Sequence, residues 1–211
     1  MLCIVNLIRR YLLSEIKTKS VILVSLETNI IELKEETFAK YLRVLKIPQD
    51  VKGTYKLNSY CPENKKFKLV TSADFLPMKT RVPCAVLKPK QYLNMTVKVI
   101  EEKAGTDNAF AAISRFYIKD GKGYVVPIPE IDAKAAIEEA KKLAIADIKS
   151  GRSDFSAPIN ALAQFINAKG GTAFARYEHQ LYRKYWIDCP NANDYKKDLI
   201  SAIEKEKITI I

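Results

Sequence analysis

Apolar residues recur along the chain with two spacings, one typical of helices and one typical of strands. In six segments they recur every three or four positions, which predicts amphipathic helices. These segments are residues 2–17, 32–45, 132–149, 158–168, 172–187 and 194–207. Asp132 is a suitable N-cap for the helix that follows it, and Gly170 and Gly171 end the helix before them.

Between residues 21 and 127 the pattern is mainly that of strands. Residues 21–26 are rich in β-branched side chains, which predicts a short buried strand. Further extended segments, separated by prolines, are residues 54–60, 66–71, 82–88 and 94–102. Residues 110–127 predict a hairpin with the turn Asp120-Gly121-Lys122-Gly123, because glycine tolerates the positive φ angles of tight hairpin turns.

This arrangement predicts an α+β protein in which N-terminal and C-terminal helices flank a central, mostly antiparallel β-sheet or small OB-like barrel. Residues 1–50 are predicted to form a helix–strand–helix segment that packs on the sheet. Residues 51–129 form a basic β-rich domain, and residues 130–211 form a helical C-terminal region. The length of 211 residues and the apolar content of 48% indicate an ordered protein with a hydrophobic core.

The cysteine and histidine content argues against a structural zinc site. The four cysteines are far apart and the chain has one histidine, so paired ligands at short spacing do not occur. Reduced thiols are typical of cytoplasmic proteins. The apolar N-terminus lacks the features of a signal peptide, and charged residues interrupt it before it reaches a membrane-spanning length. We therefore expect a cytoplasmic protein without a membrane partner.

Positive charge is concentrated in residues 52–100. The chain has 35 basic and 24 acidic residues, a net charge of +11. Residues 52–100 contain ten basic and two acidic residues, so their own net charge is +8. The aromatic residues interleaved with these charges are Tyr55, Tyr60, Phe67, Phe75 and Tyr92. A local excess of this kind indicates a polyanionic partner, of which nucleic acid is the commonest.

A basic β segment with interleaved rings has the two features that single-stranded nucleic-acid binding requires, cations for phosphates and flat surfaces for bases. The predicted phosphate contacts are Lys56, Lys65, Lys66, Lys68, Arg81, Lys88 and Lys98, and the predicted stacking groups are Tyr55, Tyr60 and Phe67. Side chains alternate along a strand, so these residues cannot all share one face. The alternative is that the lysines form the solvated face of the sheet and the rings its core.

A second basic and aromatic segment, residues 176–186, contains the only histidine, His179, and the only tryptophan, Trp186. As a helix it would place Arg176 and Arg183 on a different face from the aromatic residues, where both could contact phosphates. The alternative is an amphipathic helix with an ordinary polar exterior.

Charged residues end the predicted strand at 94–102. Alternation places Glu101 and Lys103 on the same face as the apolar residues before them. The sequence Glu101-Glu102-Lys103 resembles the (D/E)-x-K motif of the PD-(D/E)XK nuclease superfamily. This resemblance implies that Asp74 and Glu101 hold Mg²⁺ and that Lys103 positions or activates water. The alternative is a charged strand end before a turn.

The sequence favours a non-enzymatic protein that binds DNA, RNA or another polyanion through non-specific contacts with the phosphate backbone. It predicts no cofactor and no metal site. Two alternatives remain open. One is a structural or assembly subunit of a larger particle or ribonucleoprotein, with protein partners or self-assembly. The other is a metal-dependent nuclease that uses Mg²⁺.

Overall fold

Helices and mainly antiparallel strands occur together in the computed structural model, which describes residues 2–103, 111–151, 156–178 and 184–211. The helices are α1 (Leu2–Ser14), α2 (Glu35–Arg43), α3 (Ala133–Ser150), α4 (Ala157–Ala168) and α5 (Ala192–Lys205). The strands are β1 (Lys17–Thr28), β2 (Thr54–Tyr60), β3 (Lys68–Thr71), β4 (Pro83–Leu87), β5 (Tyr92–Lys103), β6 (Arg115–Lys119), β7 (Lys122–Val126), β8 (Phe174–Glu178), β9 (Lys184–Asp188) and β10 (Ile208–Ile210). The prediction of an α+β fold is confirmed.

The chain forms two compact units, and one is inserted into the other. The inserted unit comprises Lys17–Phe110, and the discontinuous unit comprises Met1–Ile16 together with Ala111–Ile211. This division differs from the three segments expected from the sequence. The first helix and the β6–β7 hairpin belong to the discontinuous unit because their apolar side chains share a core with the C-terminal helices.

Three antiparallel strands form the main sheet of the inserted unit, in the order β1–β5–β2. Along β1, Lys17 lies opposite Lys103 and Thr28 lies opposite Leu93, with a bulge at Val24. Along β2, every residue pairs with β5. β1 and β5 are therefore direct neighbours although about seventy-five residues separate their starting points.

One face of this sheet is buried by α2 and by a two-stranded ribbon of β3 and β4. The apolar cluster that joins these elements includes Val21, Phe38, Leu42, Leu57, Val70, Leu87, Leu93, Met95 and Val97. Leu93 and Val97 of the central strand are fully buried in it. On the opposite face, the residues of β2 and those of β5 from Tyr92 to Lys98 are exposed or half-buried, whereas Thr18 and Ser20 near the start of β1 are buried.

Helices dominate the discontinuous unit, where α1, α3, α4 and α5 share one apolar core with Val125 of β7. Asp132 caps α3 as predicted, because its side chain accepts hydrogen bonds from the N–H groups of Lys134 (2.9 Å) and Ala135 (3.1 Å). Gly151, with φ 65°, ends the same helix. β6 and β7 form the predicted hairpin, and β10 adds to β7 in parallel, giving the order β10–β7–β6.

Gly123 allows α1 to lie close to the inner face of this small sheet. A Cβ atom at this position would lie 2.7 Å from Ile208 Cδ1, 2.8 Å from Phe116 Cζ and 2.9 Å from Val5 Cγ1. Such distances are too short for van der Waals contact, so even alanine would displace its neighbours. The inner face of the hairpin is therefore fully occupied.

The prediction of a helix at residues 172–187 is wrong for the described part of this segment, residues 172–178 and 184–187. The structure has the strands β8 and β9, paired antiparallel with Phe174 opposite Asp188. The spacing of four between Tyr177, Leu181 and Tyr185 suggests a helix, but four is also an even number and equally fits the two-residue period of a strand. Aromatic residues also favour strands. The prediction of a helical region at 130–211 is therefore correct for α3, α4 and α5 and wrong for this strand pair.

The strands do not close into a barrel. The extended segments predicted between residues 54 and 126 belong to the main sheet, to the β3–β4 ribbon and to the hairpin of the discontinuous unit. The expectation of a small OB-like barrel is therefore wrong, and that of mostly antiparallel sheets is confirmed. Within the described residues, no helix is both long enough and apolar enough to span a membrane.

Candidate nucleic-acid interface

The solvent-facing side of the main sheet is polar and carries basic and aromatic side chains. We call this surface the insert face. It comprises Ile22, Ser25, Glu27, Thr54, Lys56, Asn58, Tyr60, Tyr92, Asn94, Thr96 and Lys98. The strand registers place these residues opposite one another on the side away from the apolar cluster, and all of them are exposed or half-buried.

Two tyrosines occupy one end of the insert face. Tyr60, the last residue of β2, lies directly opposite Tyr92, the first residue of β5. Tyr60 is 52% exposed and Tyr92 is half-buried. Cβ atoms of directly opposed residues are about 4.5–5.5 Å apart in antiparallel strands, so the two side chains stand side by side. Asn58 and Asn94 form the next pair on the same face.

Two turns continue from the tyrosine end of the insert face and are bonded to each other. One comprises residues 61–67, directly after β2, and the other comprises residues 88–91, directly before β5. Cys61 donates its backbone N–H to the carbonyl of Gln91 (2.9 Å) and accepts a hydrogen bond from the N–H of Lys90 (2.8 Å). These bonds fix both turns beside the tyrosines.

Asn29, directly after β1, holds the second turn against the sheet. Its Nδ2 donates to the carbonyl of Lys90 (3.0 Å), and its Oδ1 accepts from the N–H of Tyr92 (2.9 Å). Lys90 has a positive φ of 66°, a conformation that L-residues other than glycine adopt only where their surroundings require it. The position of this turn therefore depends on a side chain from a third strand.

The tyrosine end of the insert face is strongly basic. The two turns and the first residue of β3 contribute Lys65, Lys66, Lys68, Lys88 and Lys90 and one acid, Glu63. Glu63 is paired with Lys90, with 2.9 Å between Oε1 and Nζ. The acid is thus neutralised by one of five lysines, and the remaining charge favours an anionic ligand.

Most of the predicted binding residues lie on the insert face or in its two turns. This group comprises Lys56, Tyr60, Lys65, Lys66, Phe67, Lys88 and Lys98. Lys68 joins it from β3, because its Nζ donates to the carbonyl of Tyr60 (3.4 Å). Tyr92 and Lys90 also belong here but are not among the predicted contacts. The pairing of Tyr92 with Tyr60 becomes visible only once the strand register is known.

The structure does not bring Tyr55 or Arg81 to this surface. Tyr55 packs against the apolar cluster on the buried side of β2 and donates its hydroxyl to the carbonyl of Lys52 (3.0 Å). Arg81 is exposed at the opposite end of the β3–β4 ribbon, two residues before β4 begins at Pro83. The alternation of strand residues separates Tyr55 from Tyr60, as the sequence pattern requires.

Arg176 and Arg183 do not share a helical face, because a strand replaces the helix at this point. Arg176 lies in β8 opposite Trp186 of β9. Arg183 and His179 lie outside the described residues. The structure therefore gives no geometric reason to place the two arginines on one phosphate-binding surface.

Compared with known protein families and with curated protein sequences, the chain matches none. The functional assignment therefore depends on the chemistry of the surfaces themselves. Of these, the insert face combines exposed rings, amides and lysines in one place.

The charged end of β5 has little in common with a buried metal site. Glu101 and Lys103 are exposed, although the apolar residues before them are buried. Asp74 lies in a short 3-10 turn, where its Oδ2 accepts hydrogen bonds from the N–H (2.7 Å) and the hydroxyl (3.1 Å) of Thr71. In the described part of the chain, no three His, Cys, Asp or Glu side chains form a group that could hold a metal ion. These positions give the nuclease alternative no support.

An apolar groove of about 460 Å³ lies between α2 and the β3–β4 ribbon. Its apolar lining comprises Leu33, Phe38, Tyr41, Leu69, Pro83, Ala85 and Val86. Leu69 and Val86 lie opposite each other in the ribbon and are 45% and 57% exposed. The Tyr41 hydroxyl donates to the carbonyl of Pro83 and so connects the helix to the ribbon. An open apolar concavity of this size suits the apolar side chains of a partner.

Cys84 lines the same groove. Burial raises the pKa of Cys84 to about 11, and the negative charge of Asp74 adds to the effect. The thiol is therefore protonated at neutral pH and is a weak nucleophile. The groove offers apolar contact and no reactive thiolate.

Proposed function

We propose that the protein binds single-stranded nucleic acid through the insert face and its two lysine-rich turns. The observation that carries the proposal is the cross-strand pair of Tyr60 and Tyr92 at the basic end of an open sheet face. Exposed rings beside a cationic surface are the features by which many sheet proteins hold unpaired bases.

The two tyrosines supply the surfaces on which bases stack. Stacking of a base on an aromatic side chain contributes about 1–3 kcal/mol and tolerates every base, because all bases have a π face. Asn58 and Asn94 continue the face next to the tyrosines, and their amides can both donate to and accept from base edges. The rings require bases that are free of a duplex stack, which favours single strands over duplexes.

The lysines of the two turns supply the phosphate contacts. Each phosphate that a lysine neutralises releases condensed counterions, so affinity falls as salt concentration rises. Lysine is a point charge without the planar fork of arginine, so it contacts the backbone without selecting a base. Binding through Lys65, Lys66 and Lys88 is therefore expected to be strong at low salt and largely independent of sequence.

A salt titration with matched charge variants tests the location of the site. The affinity for a fluorescent single-stranded oligonucleotide is measured by anisotropy at several salt concentrations, in DNA and RNA form. The variant Lys65→Ala/Lys66→Ala is expected to reduce the slope of log affinity against log salt by about 1.4, at about 0.7 per lost phosphate contact. Its control, Lys79→Ala/Arg81→Ala, removes the same charge from exposed positions at the far end of the ribbon and is expected to leave the slope unchanged.

A second pair of variants tests stacking. Tyr60→Ala and Tyr92→Ala are each expected to lower single-strand affinity by about 5- to 150-fold, since a stacked base contributes about 1–3 kcal/mol. Neither is expected to change the affinity for inorganic polyphosphate, which has charge but no bases. Absence of binding at low salt, or greater sensitivity to the Lys79/Arg81 change than to the Lys65/Lys66 change, would contradict the proposal.

The apolar groove favours a second candidate function, in which the inserted unit docks on a protein partner or another copy of the chain. Its exposed leucine and valine form an apolar surface next to a helix, as in assembly contacts. If the groove mediates self-association, Leu69→Asp is expected to lower the mass found by light scattering. Ile31→Asp, at a position 96% exposed and outside the groove lining, is the control. A wild-type mass equal to one chain at all concentrations would rule out self-assembly.

A further inference from the structure

The outer face of the β10–β7–β6 sheet combines rings and cations in a second place. We call this surface the hairpin face. It comprises Arg115, Tyr117, Lys119, Lys122, Tyr124, Val126 and Thr209. These residues are exposed or half-buried, and they lie on the side of the sheet away from α1.

Two tyrosines form a stack at the centre of the hairpin face. Tyr117 of β6 lies opposite Tyr124 of β7, with ring centroids 5.5 Å apart and ring planes within 13° of parallel. Tyr117 is 43% exposed. β6 is an edge strand of its sheet, and no strand of the described residues pairs with it on the side of Tyr117 turned away from Tyr124. A third flat ring can therefore extend the stack at this edge.

Cations flank the stack along both strands. Arg115 and Lys119 lie two residues on either side of Tyr117, and Lys122 lies two residues before Tyr124. A separation of two strand residues is about 6.6 Å, so each charge is within reach of a phosphate next to a stacked base. The outward residues of these two strands include no acid. The charged strand residues around the rings are thus all basic, and the acid Asp120 lies in the turn between the strands.

The two rings of the hairpin face lie outside the apolar core of their unit. The apolar core lies on the inner side of the hairpin, where Gly123 leaves room for Val5, Phe116 and Ile208. Rings placed on the solvent side contribute less to burial than rings in that core. The stack does hold both rings in one orientation before a ligand arrives, which reduces the entropy lost on binding.

We infer that the hairpin face is a second, separate contact for single-stranded nucleic acid. A base stacks on the open ring face of Tyr117, and Arg115, Lys119 and Lys122 contact the adjoining phosphates. The inference takes its ligand class from the function proposed for the insert face, but its site lies in the other unit and shares no residue with it.

The test counts binding sites on the full chain. A single-stranded oligonucleotide of about eight nucleotides, within the span of about 4–16 nucleotides that one small binding domain covers, is titrated at low salt by calorimetry and native mass spectrometry. Ribose and deoxyribose forms are compared. Two oligonucleotides are expected per wild-type chain. Lys119→Ala/Lys122→Ala is expected to reduce the number to one.

A matched variant controls for loss of charge. Lys142→Ala/Lys149→Ala removes two exposed lysines from α3 in the same unit and is expected to leave two sites. Substitutions of exposed lysines usually change stability little, so circular dichroism should show unchanged folding. Tyr117→Ala separates stacking from charge, and is expected to weaken the second site about 5- to 150-fold, the fold-change equivalent of losing one stacked base.

The outcomes separate this inference from the proposed function. If the wild-type chain binds one oligonucleotide, and this binding is lost in Lys56→Ala/Lys98→Ala but kept in Lys119→Ala/Lys122→Ala, the inference about the hairpin face is wrong and the proposed function stands. If the single site is instead lost in Lys119→Ala/Lys122→Ala and kept in Lys56→Ala/Lys98→Ala, the assignment of the insert face is wrong and that of the hairpin face is supported. If a single site is weakened by both pairs of lysine substitutions, the two faces are not separate contacts and the inference is wrong.

Three further results bear on the class of ligand that the surfaces bind. Absence of oligonucleotide binding at low salt overturns both assignments. Equal binding of inorganic polyphosphate at the hairpin face, with no effect of Tyr117→Ala, would show a general anion surface without base stacking and would overturn the inference. Ultraviolet crosslinking of the oligonucleotide to Tyr117 or Tyr124, located by peptide mass spectrometry, would support it.

Discussion

The insert face and the hairpin face are both outer faces of three-stranded sheets, but the chain assembles them differently. The insert face is long and mostly polar, with its rings at one end beside the lysines of the two turns, and with Lys56 and Lys98 further along the strands. The hairpin face is short, and its cations surround a stacked tyrosine pair. The insert face is therefore an extended polar surface with its stacking rings at one end, and the hairpin face is a compact surface with its stacking rings at the centre.

The difference also lies in how each surface is supported. The tyrosine end of the insert face depends on bonds between turns and on the side chain of Asn29. The hairpin face depends on a two-residue turn above a tightly packed inner side at Gly123. Changes beneath each surface should therefore affect one face and spare the other.

The largest effect is expected from Leu93→Ala in the central strand of the inserted unit. Leu93 is fully buried, and truncating a buried leucine to alanine typically destabilises a protein by about 2–5 kcal/mol. The free energy of unfolding, measured by urea titration, should fall by this amount. Oligonucleotide binding at the insert face should weaken while the hairpin face keeps its ligand. Equal loss at both faces would show that the two surfaces depend on one cooperative core.

A smaller effect in the other unit is expected from Gly123→Ala. The added methyl group would overlap Ile208, Phe116 and Val5, and overpacking of this kind costs about 1–3 kcal/mol. Urea unfolding should show the loss, and the binding stoichiometry should show a weakened hairpin face only. Ser114→Ala, at an exposed position just before β6, is the control. Unchanged stability in Gly123→Ala would contradict the close approach of α1 to the sheet.

Asn29→Ala should have a still smaller effect on stability and a specific effect on the insert face. The change removes two hydrogen bonds, one to Lys90 of the turn at residues 88–91 and one to Tyr92 at the start of β5, a loss of about 1–2 kcal/mol. Asn167→Ala is the matched control, because Asn167 makes two similar bonds to the backbone of Ala173 in the discontinuous unit. Both variants should lose similar stability in thermal melts. Only Asn29→Ala should lower the salt dependence of oligonucleotide binding.

The smallest effect concerns Cys84 in the groove of the inserted unit. Its pKa of about 11 means that the thiolate is scarce at neutral pH, so alkylation should be slow and should speed up about tenfold per pH unit until about pH 11. The raised pKa also means that the protonated thiol stabilises the fold below its ordinary pKa, and that this contribution is lost as pH rises through 11. Peptide mass spectrometry follows the labelling, with urea-unfolded protein as the control. Fast labelling at pH 7 in the folded chain would contradict the burial.

Local elements could largely be predicted from the sequence, because they depend on residues close together in the chain. The pattern predicts β2 at its observed bounds and α3 with its Asp132 cap. It fails at residues 172–187, where the four-residue spacing of Tyr177, Leu181 and Tyr185 fits the helical and the strand period at once. It also fails to predict β10, a three-residue strand whose partner lies more than eighty residues earlier in the chain.

Features of the two surfaces also differ in whether they depend on neighbouring residues in the sequence or on strand pairing. Ten basic residues in residues 52–100 point to the inserted unit, since their density is visible along the chain. Tyr92 becomes a partner of Tyr60 only through the register of β2 on β5. The rings and cations of the hairpin face all lie between Arg115 and Tyr124 and are close together in the sequence, but the stacking of Tyr117 on Tyr124 depends on the register of β6 on β7.

Because Lys17 is paired with Lys103, the first and last described residues of the inserted unit lie next to each other. Directly paired residues of antiparallel strands have Cα atoms about 4.5–5.5 Å apart, a distance that a short turn can bridge. The polypeptide of residues 17–103 could therefore be circularised, circularly permuted or inserted into a loop of another protein with little strain on its sheet.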